Sequence, residues 1–236
     1  MSFGPGSLST ALKYLIGANV AMFLLQQIVP MTTVVFGLVP GAVVGRLHVW
    51  QLVTYLFLHG SLLHLLFNML SVWMIGSELE RVWGTRAFLQ FYFVTGVGAA
   101  ILTVLFSLVP LAAAAQLYGG LIIGASGAVY GLLLAFALRF PNVPILMYFL
   151  FPIPAKYFVL IVGAVAFYMS AVGEGGVASA THLFGLVVGY GYLRGVRLNP
   201  WAEVKYRYAR WRINQLRKKF DVHQGGRHDE WDKHVH

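Results

Sequence analysis

The sequence predicts an all-α integral membrane protein, a bundle of six transmembrane helices with both termini on the cytoplasmic side. Three observations carry this expectation. Hydrophobic residues make up 58% of the 236 positions and charged residues only 11%, whereas soluble domains carry about 25% charged residues. Mean hydropathy is +0.72, more apolar sequence than one soluble core absorbs, so lipid must be part of the solvent. The basic residues are also unevenly placed: eleven of the 17 Lys and Arg lie from Arg194 onward. There is no cysteine, which excludes disulfides, a thiol nucleophile and thiolate metal sites together.

The first apolar stretch, about 11–30, exceeds the usual ~7–15-residue core of a cleavable leader and lacks a small-residue cleavage site, so it is expected to stay as the first span. A bilayer core about 30 Å thick needs about 20 largely apolar residues. Five further stretches, about 52–76, 87–109, 122–139, 157–173 and 179–195, are expected to cross as well. The last two are rich in small residues and suit a packed interior. Between the first two spans runs a long connection from Met31 to Gln51, with Arg46, His48 and Trp50, whose aromatic and aliphatic content suits the membrane interface. The segment from Phe140 to Lys156 holds four prolines, which discourage a continuous helix. It reads as a cytoplasmic connection dipping into the interface, or else as an early, kinked start to the fifth span.

Direction follows from charge. With the N-terminus inside, Lys13, Arg81, Arg86, Arg139, Lys156, Arg194 and Arg197 all fall on the cytoplasmic side and only Arg46 on the other, as the positive-inside rule requires. The chain divides into a six-span membrane domain, residues 1–198, and a basic cytoplasmic tail, residues 199–236, partly helical or disordered. In the tail, Trp201, Val204, Tyr208 and Trp211 recur at helical spacing among Lys205, Arg207, Arg210 and Arg212. That pattern fits an interfacial helix on anionic lipid and equally a solvated basic extension. The tail histidines His223, His228, His234 and His236 are irregularly spaced, so disorder is expected there rather than a metal site. No metal or other cofactor is expected. Sidedness accounts for the positive charge, so nucleic acid is not an expected partner, whereas membrane lipids are.

Polar groups inside a membrane are costly and tend to be functional. His59, His64 and Asn68 open the second span, Ser126 the fourth and His182 the sixth. Even-numbered spans begin on the outer side, so these groups share a depth. His64 and Asn68 are i and i+4, as are Ser126 and Tyr130, and each pair shares a helix face. Gly185 and Gly189 lie on the face of His182, and Gly124 and Gly127 flank Ser126. Glycines so placed allow close helix contact, which would bring the Ser126 hydroxyl to the His182 ring. A serine hydroxyl becomes a useful nucleophile when a base within hydrogen-bond reach takes its proton.

The motifs His64-Leu-Leu-Phe-Asn68, Gly124-Ala-Ser126-Gly127 and Thr181-His182-Leu-Phe-Gly185, in this order on alternate spans, resemble those of the rhomboid family, over roughly residues 10–195. The resemblance implies an intramembrane serine endopeptidase that uses a Ser–His dyad without a catalytic acid and cleaves transmembrane or membrane-adjacent segments of other proteins. It implies Ser126 as nucleophile and His182 as base and then acid. His64, Asn68 and the backbone N–H of Ser126 would stabilise the oxyanion, and Tyr130 would pack against His182. The residues agree on one point: no Asp or Glu lies in the outer half of any span, so a Ser-His-Asp triad is not available. The family often has Trp-Arg in the first long loop, where this chain has Trp50-Gln51, and Thr181 replaces a common alanine. The pattern Gly76-x-x-x-Glu80-x-x-x-Gly84 also resembles the family, with Glu80 expected to bond loop backbone far from the chemistry. The short fifth span with the connection Gly173 to Gly176 is the expected gate, and substrates with small or helix-breaking residues near the cut are expected.

Plainer readings exist for each residue. Ser126 alone suits a packing residue, His64 and Asn68 interhelical bonding, His59 a hydrogen-bonding residue at the span entrance, and Tyr130 an ordinary packing aromatic. The rival functions are a catalytically silent relative that binds membrane clients and a polar-lined channel or transporter. The former usually lacks the serine or histidine. The latter usually carries an intramembrane carboxylate or paired broken helices. The composition suits a bacterial inner membrane, with the site open to the outer side.

Overall fold

A computed structural model describes residues 8–147, 151–172 and 176–197. The chain forms two compact units, Met1–Arg194 and Gly195–His236, and the described elements fall almost wholly in the first. The basic pattern at 201–212, the tail histidines and residues 173–175 of the expected gate lie outside the described residues.

Helix α1 (Thr10–Ile28) begins at Ser9, whose hydroxyl accepts the Leu12 N–H at 3.1 Å, the usual work of an N-cap serine. Three short helices follow, α2 (Met31–Phe36), α3 (Pro40–Arg46) and α4 (Gln51–Thr54), then a 3₁₀ turn over Tyr55–Phe57. The long helices α5 (Leu62–Trp83) and α6 (Thr85–Ser107) come next, then α7 (Ala112–Gly119) and α8 (Ser126–Arg139). Strands β1 (Pro144–Met147) and β2 (Phe151–Pro154) precede α9 (Ala155–Val172) and α10 (Gly176–Arg197).

Four of these helices, α1, α5, α6 and α9, are long and apolar enough to cross a membrane. Two expected spans fall short of that measure. Helix α8 has 14 residues, and α10, with 22, is diluted by its glycines and by Ser179, Thr181 and His182. About half of the most apolar window of α5 and of α6 is buried, against 22% for α1 and 17% for α9. Helices α5 and α6 therefore form the middle of the bundle, and α1 and α9 its flanks.

Three expectations need correction. The second long helix does not begin near residue 52: α4 and the 3₁₀ turn end at Phe57, and α5 starts only at Leu62. The break falls at His59-Gly60-Ser61, and Ser61 decides it, because its hydroxyl caps the new helix by accepting the His64 N–H at 3.1 Å. The proline-rich segment after α8 is a connection, and its alternative reading as an early start to the fifth span falls. It is an antiparallel hairpin pairing Pro144 with Pro154 and Met147 with Phe151. Glu80 bonds side chains, not loop backbone. Its two carboxylate oxygens accept from the Ser9 and Thr85 hydroxyls, each at 2.6 Å, which ties the start of α1 to the turn between α5 and α6.

Candidate active site

Ser126 is the first residue of α8. The backbone just before it is held from two directions. Leu38 and Ile122 pair as an antiparallel bridge, with N–H to O distances of 2.9 and 2.8 Å. Two residues on, the Gly124 N–H donates to the Tyr55 carbonyl at 2.9 Å. Gly124 has φ +120°, and a Cβ there would lie 2.7 Å from the His64 ring, so both conformation and space require glycine. The chain thus turns sharply into α8 with Ser126 at its N-terminus, where the first backbone N–H groups have no partner within the helix.

Helix α10 brings His182 to that terminus. A Cβ on Gly185 would collide with the Gly127 carbonyl oxygen, and one on Gly189 would lie 3.2 Å from the Gly131 Cα. The two helices therefore touch backbone to backbone, the packing that small residues permit in membranes. Beside the contact, the hydroxyls of Thr103 on α6 and Thr181 on α10 meet at 3.0 Å.

The His182 Nε2 lies 2.7 Å from the Ser126 Oγ. Tyr130, one turn after Ser126, lies flat on the imidazole, with ring centroids 4.4 Å apart and planes 9° from parallel. Ser126 and His182 are both half-buried. A hydroxyl within hydrogen-bond reach of an imidazole, with an aromatic ring stacked on that imidazole, is the arrangement that activation of a serine would require.

His64 and Asn68 stand on α5 opposite the turn. The Gly60 N–H points at the His64 Nδ1 over a long 3.4 Å. A proton on Nε2 follows from that pairing, and Nε2 is one of the ring atoms packed on Gly124. Asn68 is buried, and its Nδ2 donates to the His64 carbonyl at 3.0 Å, a bond within its own helix. Its amide is thus in the neighbourhood of the site but occupied. His59, expected as a hydrogen-bonding residue, bonds through its main chain. Its backbone N–H donates to the Gln26 Oε1 at 3.0 Å, while its ring is buried, edge-on to His64 at 5.0 Å, with no hydrogen-bond partner for either nitrogen. Burial first, and then the neighbouring His64, push its pKa down to about 4. Among the described residues no group of His and acidic side chains is placed to hold a metal ion.

Sequence reasoning missed the scaffold of the turn. In the sequence Gln51 stands out only as a departure from arginine. It is 1% exposed; its Oε1 accepts the Val39 N–H at 3.1 Å and its Nε2 donates to the Val35 carbonyl at 3.2 Å. Those bonds bracket Leu38, the partner of Ile122. Tyr55 carries no distinctive signal in the sequence, yet its hydroxyl donates to the Gly96 carbonyl at 2.7 Å while its own carbonyl holds Gly124. Gln26 joins His59 to the Thr33 hydroxyl, which its Nε2 meets at 2.9 Å. An amide buried in an otherwise apolar stretch was the available signal at both glutamines.

A helical integral membrane protein with a serine and a histidine in hydrogen-bond contact at one helix terminus is the class that fold and site define. The Rhomboid domain model matches residues 46–198, and the chain belongs to the rhomboid family. Rhomboid protease GluP of Bacillus subtilis is 34% identical over 102 residues, 43% of this chain and 18% of that protein. Rhomboid protein 1, mitochondrial, of Saccharomyces cerevisiae is 35% identical over 138 residues, 58% of this chain and 38% of that protein. Rhomboid protease GlpG of Pectobacterium atrosepticum is 31% identical over 186 residues, 79% of this chain and 60% of that protein. The chain thus spans only part of the length of each of these relatives.

Proposed function

We propose that this protein is an intramembrane serine endopeptidase acting on transmembrane or membrane-adjacent segments of other proteins. The observation that carries the reading is the 2.7 Å approach of the His182 Nε2 to the Ser126 Oγ, with Tyr130 stacked on the imidazole. In this reading His182 takes the hydroxyl proton as Ser126 attacks the scissile carbonyl, then gives it to the leaving amine. Water repeats the sequence on the acyl-enzyme. The oxyanion forms at the N-terminus of α8, where the Ser126 N–H and the positive end of the helix meet it. The His64 Nε2–H and, after release from the His64 carbonyl, the Asn68 amide add donors.

The six-span arrangement, with α8 and α10 as the fourth and sixth crossings, both termini in the cytoplasm and the site open to the outer side, belongs to the same reading. So do a bacterial inner membrane, a membrane domain over 1–198 and a basic tail over 199–236. Helix α9 is the element best suited to move aside for a substrate helix, since it buries the smallest share of its apolar window.

The test is cleavage of a model transmembrane substrate in liposomes by the wild type, Ser126→Ala and His182→Ala, with fluorophosphonate labelling alongside. Cleavage and labelling by the wild type, and neither by the two variants, is the expected result. A wild type that folds, cuts no substrate and resists the label would hand the lead to client binding without cleavage.

A further inference from the structure

The hairpin β1–β2 follows the end of α8 remote from Ser126, about 20 Å away at 1.5 Å rise per residue. From Val143 to Pro154 the sequence holds no charged residue, and no Asp or Glu stands anywhere between Glu80 and Glu174. Phe151 is 59% exposed, and Pro144 and Pro152 are exposed with it. A lone two-stranded hairpin is marginal in water even when one face is apolar. This hairpin rests partly on the bundle, yet leaves Phe151 and two prolines open.

The hairpin is nonetheless firmly rooted. The Ala155 N–H donates to the Val143 carbonyl at 2.8 Å and the Lys156 N–H to the Pro141 carbonyl at 3.1 Å. Ile145 packs against the core of the bundle. The closed base sets one cation on each leg. The Arg139 guanidinium sits 5.4 Å from the Phe140 ring centre and the Lys156 ammonium 5.0 Å from that of Tyr157, and both basic residues are exposed. Apolar surface capped by aromatic rings and cations is the signature of the headgroup boundary.

Two features choose among occupants. Pro144, Pro152 and Pro154 offer no N–H, which blunts the free edge of each strand against an added strand from another protein. Beyond Lys156, exposed apolar side chains resume on α9, where Tyr157, Leu160 and Ile161 are 52%, 66% and 43% exposed. Helix α9 is one of the four helices long and apolar enough to cross a membrane, so the hairpin continues a surface already suited to lipid.

We propose that the β1–β2 hairpin, with Arg139 and Lys156 at its base, is an anchor seated in the headgroup region of an anionic lipid leaflet. The apolar strands lie about 5–10 Å into the boundary, the depth reached by interfacial helices. The two cations hold acidic headgroups above them. The proposal is independent of whether Ser126 is a nucleophile.

The absence of cysteine makes the test direct. A nitroxide on Phe151→Cys is read by power saturation in liposomes of phosphatidylcholine with and without phosphatidylglycerol. Oxygen should relax the label far more than a water-soluble nickel chelate. Phosphatidylglycerol should deepen the immersion, and Arg139→Gln with Lys156→Gln should abolish that dependence. Pro152→Cys repeats the reading at an exposed neighbour, with an unchanged melting temperature as the check on folding. A nickel-accessible label in both membranes overturns the proposal, since the hairpin then stands in water. So does a label shielded from both reagents in detergent and liposomes alike, which means that protein covers it. Immersion indifferent to phosphatidylglycerol and to the two cations overturns the assignment to anionic lipid.

Discussion

Leu38 and Ile122 exchange two backbone hydrogen bonds, at 2.9 and 2.8 Å, and so join the loop after α1 to the turn that delivers Ser126. Leu38 is itself fixed by the buried amide of Gln51, which takes the Val39 N–H and gives to the Val35 carbonyl. The proposed nucleophile therefore inherits its position from a residue that does no chemistry.

Gln51→Ala leaves that N–H and that carbonyl without partners in a buried setting, a loss of about 1–3 kcal/mol. A lower melting temperature in detergent and slower fluorophosphonate labelling of Ser126 are expected together. Gln51→Glu keeps the acceptor and loses the donor, and should fall between. Wild-type labelling by Gln51→Ala would separate the loop from the turn.

The Tyr130 ring covers His182 face to face at 4.4 Å. Tyr130→Phe preserves the stack and should cut substrate at close to the wild-type rate. Tyr130→Leu forfeits an aromatic contact worth about 0.5–1.5 kcal/mol and should slow cleavage by up to about ten-fold, mainly in kcat. Equal rates for Phe and Leu would reduce Tyr130 to packing.

Gly185→Ala puts a methyl group into the Gly127 carbonyl oxygen. Backbone cannot yield as a flexible side chain does, so α10 must move from α8 at a cost of about 1–3 kcal/mol or more. Even a slight separation lengthens the 2.7 Å contact between His182 and Ser126. Cleavage should fall more steeply than melting temperature, and Gly189→Ala, whose Cβ would crowd the Gly131 Cα at 3.2 Å without overlapping it, should be milder.

The His59 ring is buried, and its pKa is lowered to about 4. Its unfolded value is about 6.5, so the unfolded chain binds the proton more readily and stability falls as pH drops from about 6.5 toward 4. Melting temperatures across that range should decline, and His59→Gln should flatten the decline. A variant with the same acid sensitivity as the wild type would move its cause elsewhere.

The sequence displayed the chemistry better than its support. Ser126, His182 and Tyr130 announce themselves as costly or well-spaced groups in apolar helices, and Gly185 and Gly189 mark the contact that unites them. Their supports are bonds to backbone, which leave little trace in residue type: Leu38 and Ile122 pair through their main chains, and Tyr55 holds Gly124 by a carbonyl. The break before α5 was legible in His59-Gly60-Ser61, which interrupt the leucines on either side, but intramembrane polar residues draw the eye to chemistry before capping. The hairpin was hidden for a different reason. Prolines there advertise an end to helix, but antiparallel pairing depends on partners that periodicity does not reveal. Asn68 sits at the expected spacing, while its amide prefers the nearby His64 carbonyl in the absence of a substrate-borne charge.

The brevity of α8 has a bearing on where this protein can work. Fourteen residues reach about 21 Å along the axis, well short of a hydrocarbon slab of about 30 Å. With the proposed nucleophile on its first residue and Arg139 on its last, the helix is a plumb line: fixing the arginine at one face of the slab fixes the drop from the other face to the serine. Acyl chains of different length would then raise or lower the shelf on which a peptide bond must come to rest, making bilayer thickness a dial on turnover as surely as any side chain.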